Sequence, residues 1–152
     1  MKIIITGGVG YIGSHVVLAA LDRGYDVTVF DDFSTANKKN INPKTKLIQG
    51  STNSKEDLSK LFANDKYDAV IHLAASKASE ESMLNPKKYA QNNIIGSLNI
   101  LISCIDHGVK YFIFSSSAAV YGNPMYFPID ELHPLQPTSY YGQTKLSIEN
   151  SL

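Results

Sequence analysis

Two side chains near residue 145 have the spacing of an acid–base pair. Tyr141 and Lys145 are four residues apart in SYYGQTKLSIE, so a helix would place both on one face. A phenol is a weak base at neutral pH, but a cation about 4 Å away would favour the phenolate by about 4 kcal/mol at an effective dielectric of about 20. Because this spacing is common by chance, the alternative is an ordinary solvated pair on a helix surface.

A glycine-rich segment, TGGVGYIGSH at residues 6–15, has the residue types that bind a dinucleotide. Gly8, Gly10 and Gly13 fit G-x-G-x-x-G between a predicted strand and a predicted helix. Such glycines allow a tight turn, close approach of a pyrophosphate to the helix N-terminus, and close packing of the helix on the sheet. Asp31 comes 18 residues after Gly13, where a carboxylate would accept ribose hydroxyls and repel a 2′-phosphate. The two signals favour NAD over NADP, and a plain glycine turn with an ordinary acidic loop residue is the alternative.

These groups need a scaffold, and the chain alternates short apolar runs with helical stretches. The runs are rich in β-branched or aromatic residues, as in parallel strands covered on both faces. They are residues 2–6, 26–30, 46–49, 69–74 and 111–116. The alternation predicts an α/β fold with a doubly wound parallel sheet, in which ligands bind beyond the carboxyl ends of the strands.

Three helices are predicted between these strands from their end signals. Ser54 and the Asn85-Pro86 pair are typical starts, and Gly24 and Gly108 are typical ends. The predicted helices span about 11–23, 54–64 and 86–107. The proline-rich segment 122–137 is the one long loop, and loops of this length are usually functional.

Composition excludes several classes of function. Basic and acidic residues both number 14, so there is no net positive charge to attract nucleic acid. No apolar run reaches the ~20 residues of a membrane span. The single Cys104 is expected to be a buried, inert thiol, His72 a core residue, and no histidine has the spacing of a metal ligand. We expect one soluble, cytoplasmic domain without metal, nucleic acid or membrane.

The chain resembles the extended short-chain dehydrogenase/reductases, and within them the UDP-glucose (UDP-galactose) 4-epimerases. Six blocks in order carry the resemblance: TGGVGYIGSH, VTVFDDFST, YDAVIHLAASKA, YAQNNIIGSLNIL, FIFSSSAAVYG and YYGQTKLSIE. The resemblance covers essentially the whole chain. It implies that residues 1–152 form a Rossmann-like domain that binds NAD.

The resemblance also implies roles for individual residues. Tyr141 would be the catalytic base, Lys145 would hold the nicotinamide ribose and favour the phenolate, and Ser117 would hydrogen-bond the substrate hydroxyl. Lys77 and Asn92 would lie along the cofactor, although a solvated cation and a helix-surface amide are the alternatives. The other expected cofactor contacts are Gly7, Gly10, Tyr11, Ile12 and Gly13 at the pyrophosphate, Asp31, Ser34 and Thr35 at the adenosine ribose, and Ser51, Ala74 and Ser115.

Two departures from the family pattern matter. Ser51 stands where the family usually has an aspartate that contacts adenine, so adenine recognition is expected to be weaker. Family members also run on for roughly as many residues again, so we expect a fold truncated before its last strands and its substrate domain.

The implied activity is epimerisation of a UDP-hexose by transient oxidation at sugar C4, in a homodimer or larger assembly. Three interpretations stay open: an epimerase-type enzyme whose remainder lies outside this sequence, a cofactor-binding remnant without turnover, and a related nucleotide-sugar epimerase or dehydratase. The serines at 115–117 speak against dehydratases, which usually carry an acidic pair there.

Overall fold

A computed structural model describes residues 1–63 and 65–152, with Lys38 described by its backbone only. In this part of the chain, five parallel strands form one sheet in the order β3-β2-β1-β4-β5, which confirms the predicted doubly wound architecture. The strands are β1 (Lys2–Thr6), β2 (Asp26–Asp31), β3 (Lys46–Gln49), β4 (Ala69–His72) and β5 (Tyr111–Phe114).

Within the described residues, six α-helices, a π-helical segment and two short 3-10 turns connect and follow the strands. The helices are α1 (Tyr11–Asp22), α2 (Lys55–Phe62), α3 (Ser79–Leu84), α4 (Pro86–Tyr89), α5 (Gly96–Asp106) and α6 (Tyr140–Glu149). The π-helical segment is Ala90–Ile95, and the 3-10 turns are Lys38–Asn40 and Ala118–Val120.

Apolar side chains cover both faces of the sheet, as the continuous apolar strands predicted. Alternate residues of the strands point to opposite faces, so neighbouring isoleucines of β1 enter different cores. One core packs Ile3, Ile5, Val27 and Val29 against Val17 and Ala20 of α1. The other packs Ile4, Phe30 and Val70 against Leu58, Leu61 and Phe62 of α2 and Ile100 and Cys104 of α5.

The helix ends follow the predicted signals. Ser54 caps α2 by accepting a hydrogen bond from Asp57 N, and Asn85 caps α4 by accepting one from Lys88 N. Gly24 and Gly108 follow α1 and α5 with φ of 76° and 67°, the left-handed conformation that glycine adopts without strain. The last residue of the predicted helix 54–64 lies outside the described residues.

Three predicted boundaries were wrong. The strands predicted over 69–74 and 111–116 end at His72 and Phe114, and the Ala74 N–H donates to the Thr6 hydroxyl (3.3 Å) instead of to a strand. The helix predicted over 86–107 is interrupted by the π-helical segment, where Asn92 and Asn93 both bond Ser76. Helix α3 was not predicted, because six residues are too few to show an apolar period.

The chain divides into two compact units. The first unit comprises Met1–Ala75 and Gly96–Ser115, and contains the whole sheet with α1, α2 and α5. The second unit comprises Ser76–Ile95 and Ser116–Leu152, and contains α3, α4, the π-helical segment and α6. The predicted long loop over 122–137 belongs to the second unit and contains no helix or strand.

Candidate functional site

The glycine-rich turn of the first unit joins β1 to α1, and three of its glycines are closely packed. A Cβ on Gly8 would lie 2.8 Å from Val29 Cγ1. Gly7 has a φ of 68°, and a Cβ there would lie 2.8 Å from Ala74 N. A Cβ on Gly13 would lie 2.1 Å from Gly7 O, so no other residue fits. Gly10 differs, because a Cβ there would meet only Gly7 O at 3.3 Å. Packing therefore restricts position 10 less than positions 7 and 13, and the absence of a side chain there leaves the backbone accessible to a ligand.

The N-terminus of α1 is open to a ligand. Its N-cap residue is Gly10, which has no side chain to accept a hydrogen bond from the first turn. That turn contains no acidic residue, and Tyr11 and Ile12 are 75% and 61% exposed. Uncapped N–H groups at the positive end of a helix dipole form a binding site for phosphate.

Asp31 lies at the end of β2, and its carboxylate is already engaged by the backbone. Its Oδ2 accepts from Val9 N (3.0 Å) and its Oδ1 accepts from Phe33 N (2.9 Å), where Phe33 has a φ of 60°. The Asn40 amide donates to Val9 O (3.1 Å), so the Val9 peptide is held on both sides. The carboxylate has further lone pairs for ribose hydroxyls, and it also fixes the glycine-rich turn.

The other predicted contacts of the first unit follow the carboxyl ends of strands. Ala74 and Ser115 come after β4 and β5, and Ser51 comes after β3 with its N–H donated to Asp57 (3.1 Å). Ser34 and Thr35 are exposed in the loop after β2. This is the edge of an open α/β sheet at which ligands bind.

His72 is a satisfied core histidine, as expected. It is 1% exposed, with Nδ1 2.6 Å from Thr6 Oγ1 and Nε2 2.8 Å from Ser97 Oγ. Thr6 Oγ1 also accepts from Leu73 N and Ala74 N, so its proton is directed to His72 Nδ1. The network joins the ends of β1 and β4 next to Gly7.

Tyr141 and Lys145 lie in α6 of the second unit, which gives them the predicted helical spacing. The Lys145 ammonium nitrogen is 6.0 Å from the centroid of the Tyr141 ring. Lys145 is only 4% exposed, and this burial lowers the pKa of its ammonium group from 10.5 to about 8, while Glu149 acts in the opposite direction. The pair is thus a desolvated cation beside a phenol and not a solvated surface pair.

The other predicted residues of the second unit lie in its loops and in the π-helical segment. Ser117 accepts from Ala119 N (3.2 Å), which leaves its own proton available for donation. Asn92 donates from Nδ2 to Ser76 Oγ (3.0 Å), and Lys77 is exposed in the segment before α3. Their assignment to cofactor or substrate stays a prediction.

One network beneath Tyr141 was missed by the sequence analysis. Asn93, 2% exposed, accepts from Ser76 N (2.8 Å) and donates to Thr144 Oγ1 (3.1 Å). Thr144 in turn donates to the carbonyl oxygen of Tyr141 (2.7 Å). Asn93 and Thr144 are 51 residues apart, so only the polar run QNN within an apolar helical pattern was a signal for them.

The described part of the chain contains neither a cluster of metal-ligand residues nor a membrane-spanning helix. Within residues 1–63 and 65–152, no three histidine, cysteine, aspartate or glutamate residues are grouped as metal ligands would be. None of the helices in that part combines the length and apolar character needed to span a membrane.

The parallel sheet with its open glycine-rich turn defines a Rossmann-like fold of the class that binds dinucleotides. Residues 3–152 match the profile of the NAD dependent epimerase/dehydratase family. The chain belongs to this family.

Curated relatives and solved structures show which enzymes of this family the chain is similar to. The UDP-glucose 4-epimerase of Lactobacillus helveticus is 44% identical over 149 residues, which cover 98% of this chain and 45% of that protein. The structure of UDP-glucose 4-epimerase with UDP-glucose from Thermotoga maritima has a TM-score of 0.95 at 39% identity, covering 99% of this chain and 50% of that one. The Bifidobacterium longum enzyme in complex with NAD+ and UDP has a TM-score of 0.93 at 34% identity, covering 99% and 48%. The chain spans about half the length of the curated relatives it matches.

Proposed function

We propose that this chain supplies the NAD-binding and proton-transfer parts of a 4-epimerase that interconverts UDP-glucose and UDP-galactose. The similarity to UDP-glucose 4-epimerases in sequence and in fold supports the substrate class and the reaction. The observation that carries the proposal is the burial of Lys145 beside Tyr141 on one face of α6. Burying a lysine is costly, so a desolvated lysine next to a potential base marks a functional site.

The residues of the first unit fit NAD. The uncapped N-terminus of α1 suits the pyrophosphate, and the absence of a side chain at Gly10 allows the phosphates to approach the backbone. Asp31 suits the adenosine ribose, with Ser34 and Thr35 in the following loop. A carboxylate at this position repels a 2′-phosphate, which favours NAD over NADP.

The residues of the second unit move and position a proton. Tyr141 accepts the proton of the sugar 4-hydroxyl as a phenolate, the form that the Lys145 cation stabilises, and returns the proton later as a phenol. Ser117 donates a hydrogen bond to the oxygen at sugar C4 and so orients the hydroxyl toward Tyr141. NAD, when bound, supplies the acceptor and donor of hydride for that carbon.

In this function the protein acts in the cytoplasm as a homodimer or larger assembly. Its substrate is a UDP-hexose. Strand β5 lies at the edge of the described sheet and bonds only to β4, with Tyr111 and Ile113 58% and 55% exposed. Exposed apolar edge strands pair readily with another chain. The outer side of α5 also exposes Ile102 and Ile105. Light scattering on residues 1–152 should therefore give a dimer or larger species, and a clean monomer would contradict this.

The test of the proposed function is Tyr141→Phe in the protein as expressed from its gene. Turnover of UDP-galactose should fall by about 10²- to 10⁴-fold, the usual effect of losing an acid–base group, while NAD affinity by calorimetry stays nearly unchanged. Tyr140→Phe is the matched control on the same helix and should retain turnover. Near-normal turnover in Tyr141→Phe would show that another group is the base. A protein limited to residues 1–152 should bind NAD without turnover, because only about half of each relative is matched.

A further inference from the structure

The first turn of α6 is held by residues from outside the helix. The first N–H groups of a helix have no partner within it. In α6, Tyr140 N donates to Met83 Sδ (3.3 Å), Tyr141 N donates to Ser82 Oγ (2.9 Å), and Gly142 N donates to the N-cap Ser139 Oγ (3.1 Å). Two of these three partners belong to α3, nearly 60 residues earlier in the chain.

The Ser82 hydroxyl is fixed in direction. Ser82 is 0% exposed, and its proton is donated to Ser79 O at 2.5 Å within α3. With its proton committed there, the oxygen presents a lone pair to Tyr141 N. Ser82 therefore restrains the backbone of Tyr141.

The ring of Tyr141 has a partner from the same region of the chain. The buried Tyr89 ring stands edge-on to it, with centroids 6.5 Å apart and planes at 81°. The Tyr89 hydroxyl lies 2.7 Å from Ala78 O and 2.9 Å from Glu81 Oε2, and Glu81 is itself paired with Lys88 (2.6 Å). Burial first and Glu81 second raise the pKa of Tyr89 to about 12, so its phenol stays protonated and anchored.

We propose that Ser82 is a positioning residue for proton transfer by Tyr141, with Tyr89 supporting the ring of the same side chain. The inference rests on the proposed function, because it assumes that the Tyr141 phenol is the base. A displacement of about 1 Å at a reacting group can reduce turnover by about 10²-fold. A hydrogen bond to the backbone and an edge-on ring contact together restrict that displacement.

The kinetic test replaces Ser82 by alanine in the protein as expressed from its gene. Ser82→Ala should reduce kcat by about 10- to 100-fold and leave the Kd for NAD within about twofold. Ser82→Cys keeps a weak acceptor of similar size, so its kcat should lie between those of Ser82→Ala and the unmodified protein. Ser147→Ala is the matched control, because its hydroxyl bonds only Gln143 O within α6, and it should behave as the unmodified protein.

A double-mutant cycle separates positioning from a general structural role. Once Tyr141→Phe has removed the phenol, adding Ser82→Ala should reduce the residual turnover by less than about twofold. An additional loss as large as that of Ser82→Ala alone would overturn the inference. If Ser82→Ala has normal turnover while Tyr141→Phe is inactive, the inference on Ser82 is overturned and the proposed function stands. An active Tyr141→Phe would contradict the proposed function itself.

Amide hydrogen exchange gives a readout that needs no turnover. In residues 1–152 labelled for NMR, the Tyr141 amide should exchange at least about tenfold faster in Ser82→Ala than in Ser147→Ala, because its acceptor is gone. Ser82→Cys gives the same comparison if Ser82→Ala does not fold. Unchanged protection of Tyr141 in a folded variant would show that Ser82 does not hold this backbone position.

Discussion

The glycine-rich turn and the first turn of α6 both present the start of a helix, but they are built in opposite ways. The glycines of the turn pack on its own backbone, with Gly13 against the Gly7 carbonyl oxygen, and Asp31 and Asn40 hold Val9 within it. Helix α6 has an ordinary start, with Ser139 as its cap, and is located by Ser82 and Met83 from far along the chain. The glycines of a common ligand site can thus be recognised from a local motif, whereas the partners that position a reactive group leave no such motif.

The largest effect is expected at Gly13. Gly13→Ala places a Cβ 2.1 Å from a backbone oxygen that no rotamer can move, so the free energy of unfolding should fall by at least about 3 kcal/mol. Urea denaturation measures this loss. Gly13→Ala with unchanged stability would show that the turn is not restricted by its own backbone.

Gly10→Ala is the matched control within the same turn. Its φ of −65° and ψ of 170° suit alanine, so the free energy of unfolding should change by less than about 1 kcal/mol. Calorimetry should nevertheless show NAD binding weakened at least about tenfold, because the new methyl group occupies the space that the phosphates approach. Equal NAD affinity would place the pyrophosphate elsewhere.

A gain in stability is expected from Lys145→Met. Because the pKa of Lys145 is lowered to about 8 in the fold but is 10.5 in the unfolded chain, below pH 8 both states are charged and the folded state bears the desolvation cost. The stability of the unmodified protein should therefore rise between about pH 8 and pH 10.5, and this component should be missing in Lys145→Met. At pH 7 the variant should be about 1 to 3 kcal/mol more stable while its turnover is lost.

The measurement for Lys145 is urea denaturation across pH 7 to about 10.5, taken as the difference between variant and unmodified protein. Exposed Lys87 provides the control, and Lys87→Met should follow the unmodified protein throughout. If Lys145→Met is less stable at pH 7, contacts of the ammonium group outweigh its desolvation.

The smallest of these effects concerns cofactor choice at Asp31. NAD should bind at least about tenfold more tightly than NADP, a gap of about 1.4 kcal/mol, and Asp31→Ala should remove the gap. Asp32→Ala is the control, since Asp32 accepts only from Ser34 N in an exposed loop. Because Asp31 also holds Val9 and Phe33, its variant should lose some stability as well. If Asp31→Ala still prefers NAD over NADP, another residue must distinguish the two cofactors.

The sheet could be predicted because its signals are local. All five strands were located from apolar β-branched runs, and Ser54, Asn85, Gly24 and Gly108 marked helix ends through their own backbone or side-chain chemistry. The Tyr141–Lys145 spacing was readable for the same reason, since both residues share one helix.

The surroundings of that pair could not be predicted. Lys145 looks like any helical lysine in the sequence, and only the packed structure makes it 4% exposed. Ser82 and Asn93 reach α6 across 59 and 51 residues, respectively, and no periodic pattern encodes such pairs. The hydrogen bond from Val9 N to Asp31 could not be predicted either, because it depends on the path of the glycine-rich turn.

Chemical modification of Cys104 can report local opening of this protein. The only thiol of the chain lies in the core between α5 and the sheet, and burial raises its pKa to about 12. A thiolate-specific reagent can thus modify the closed form only very slowly, and labelling depends on opening of the first unit. Mass spectrometry of the modified chain over time would follow that opening without any introduced probe, and bound NAD should lengthen the half-life of the unlabelled protein.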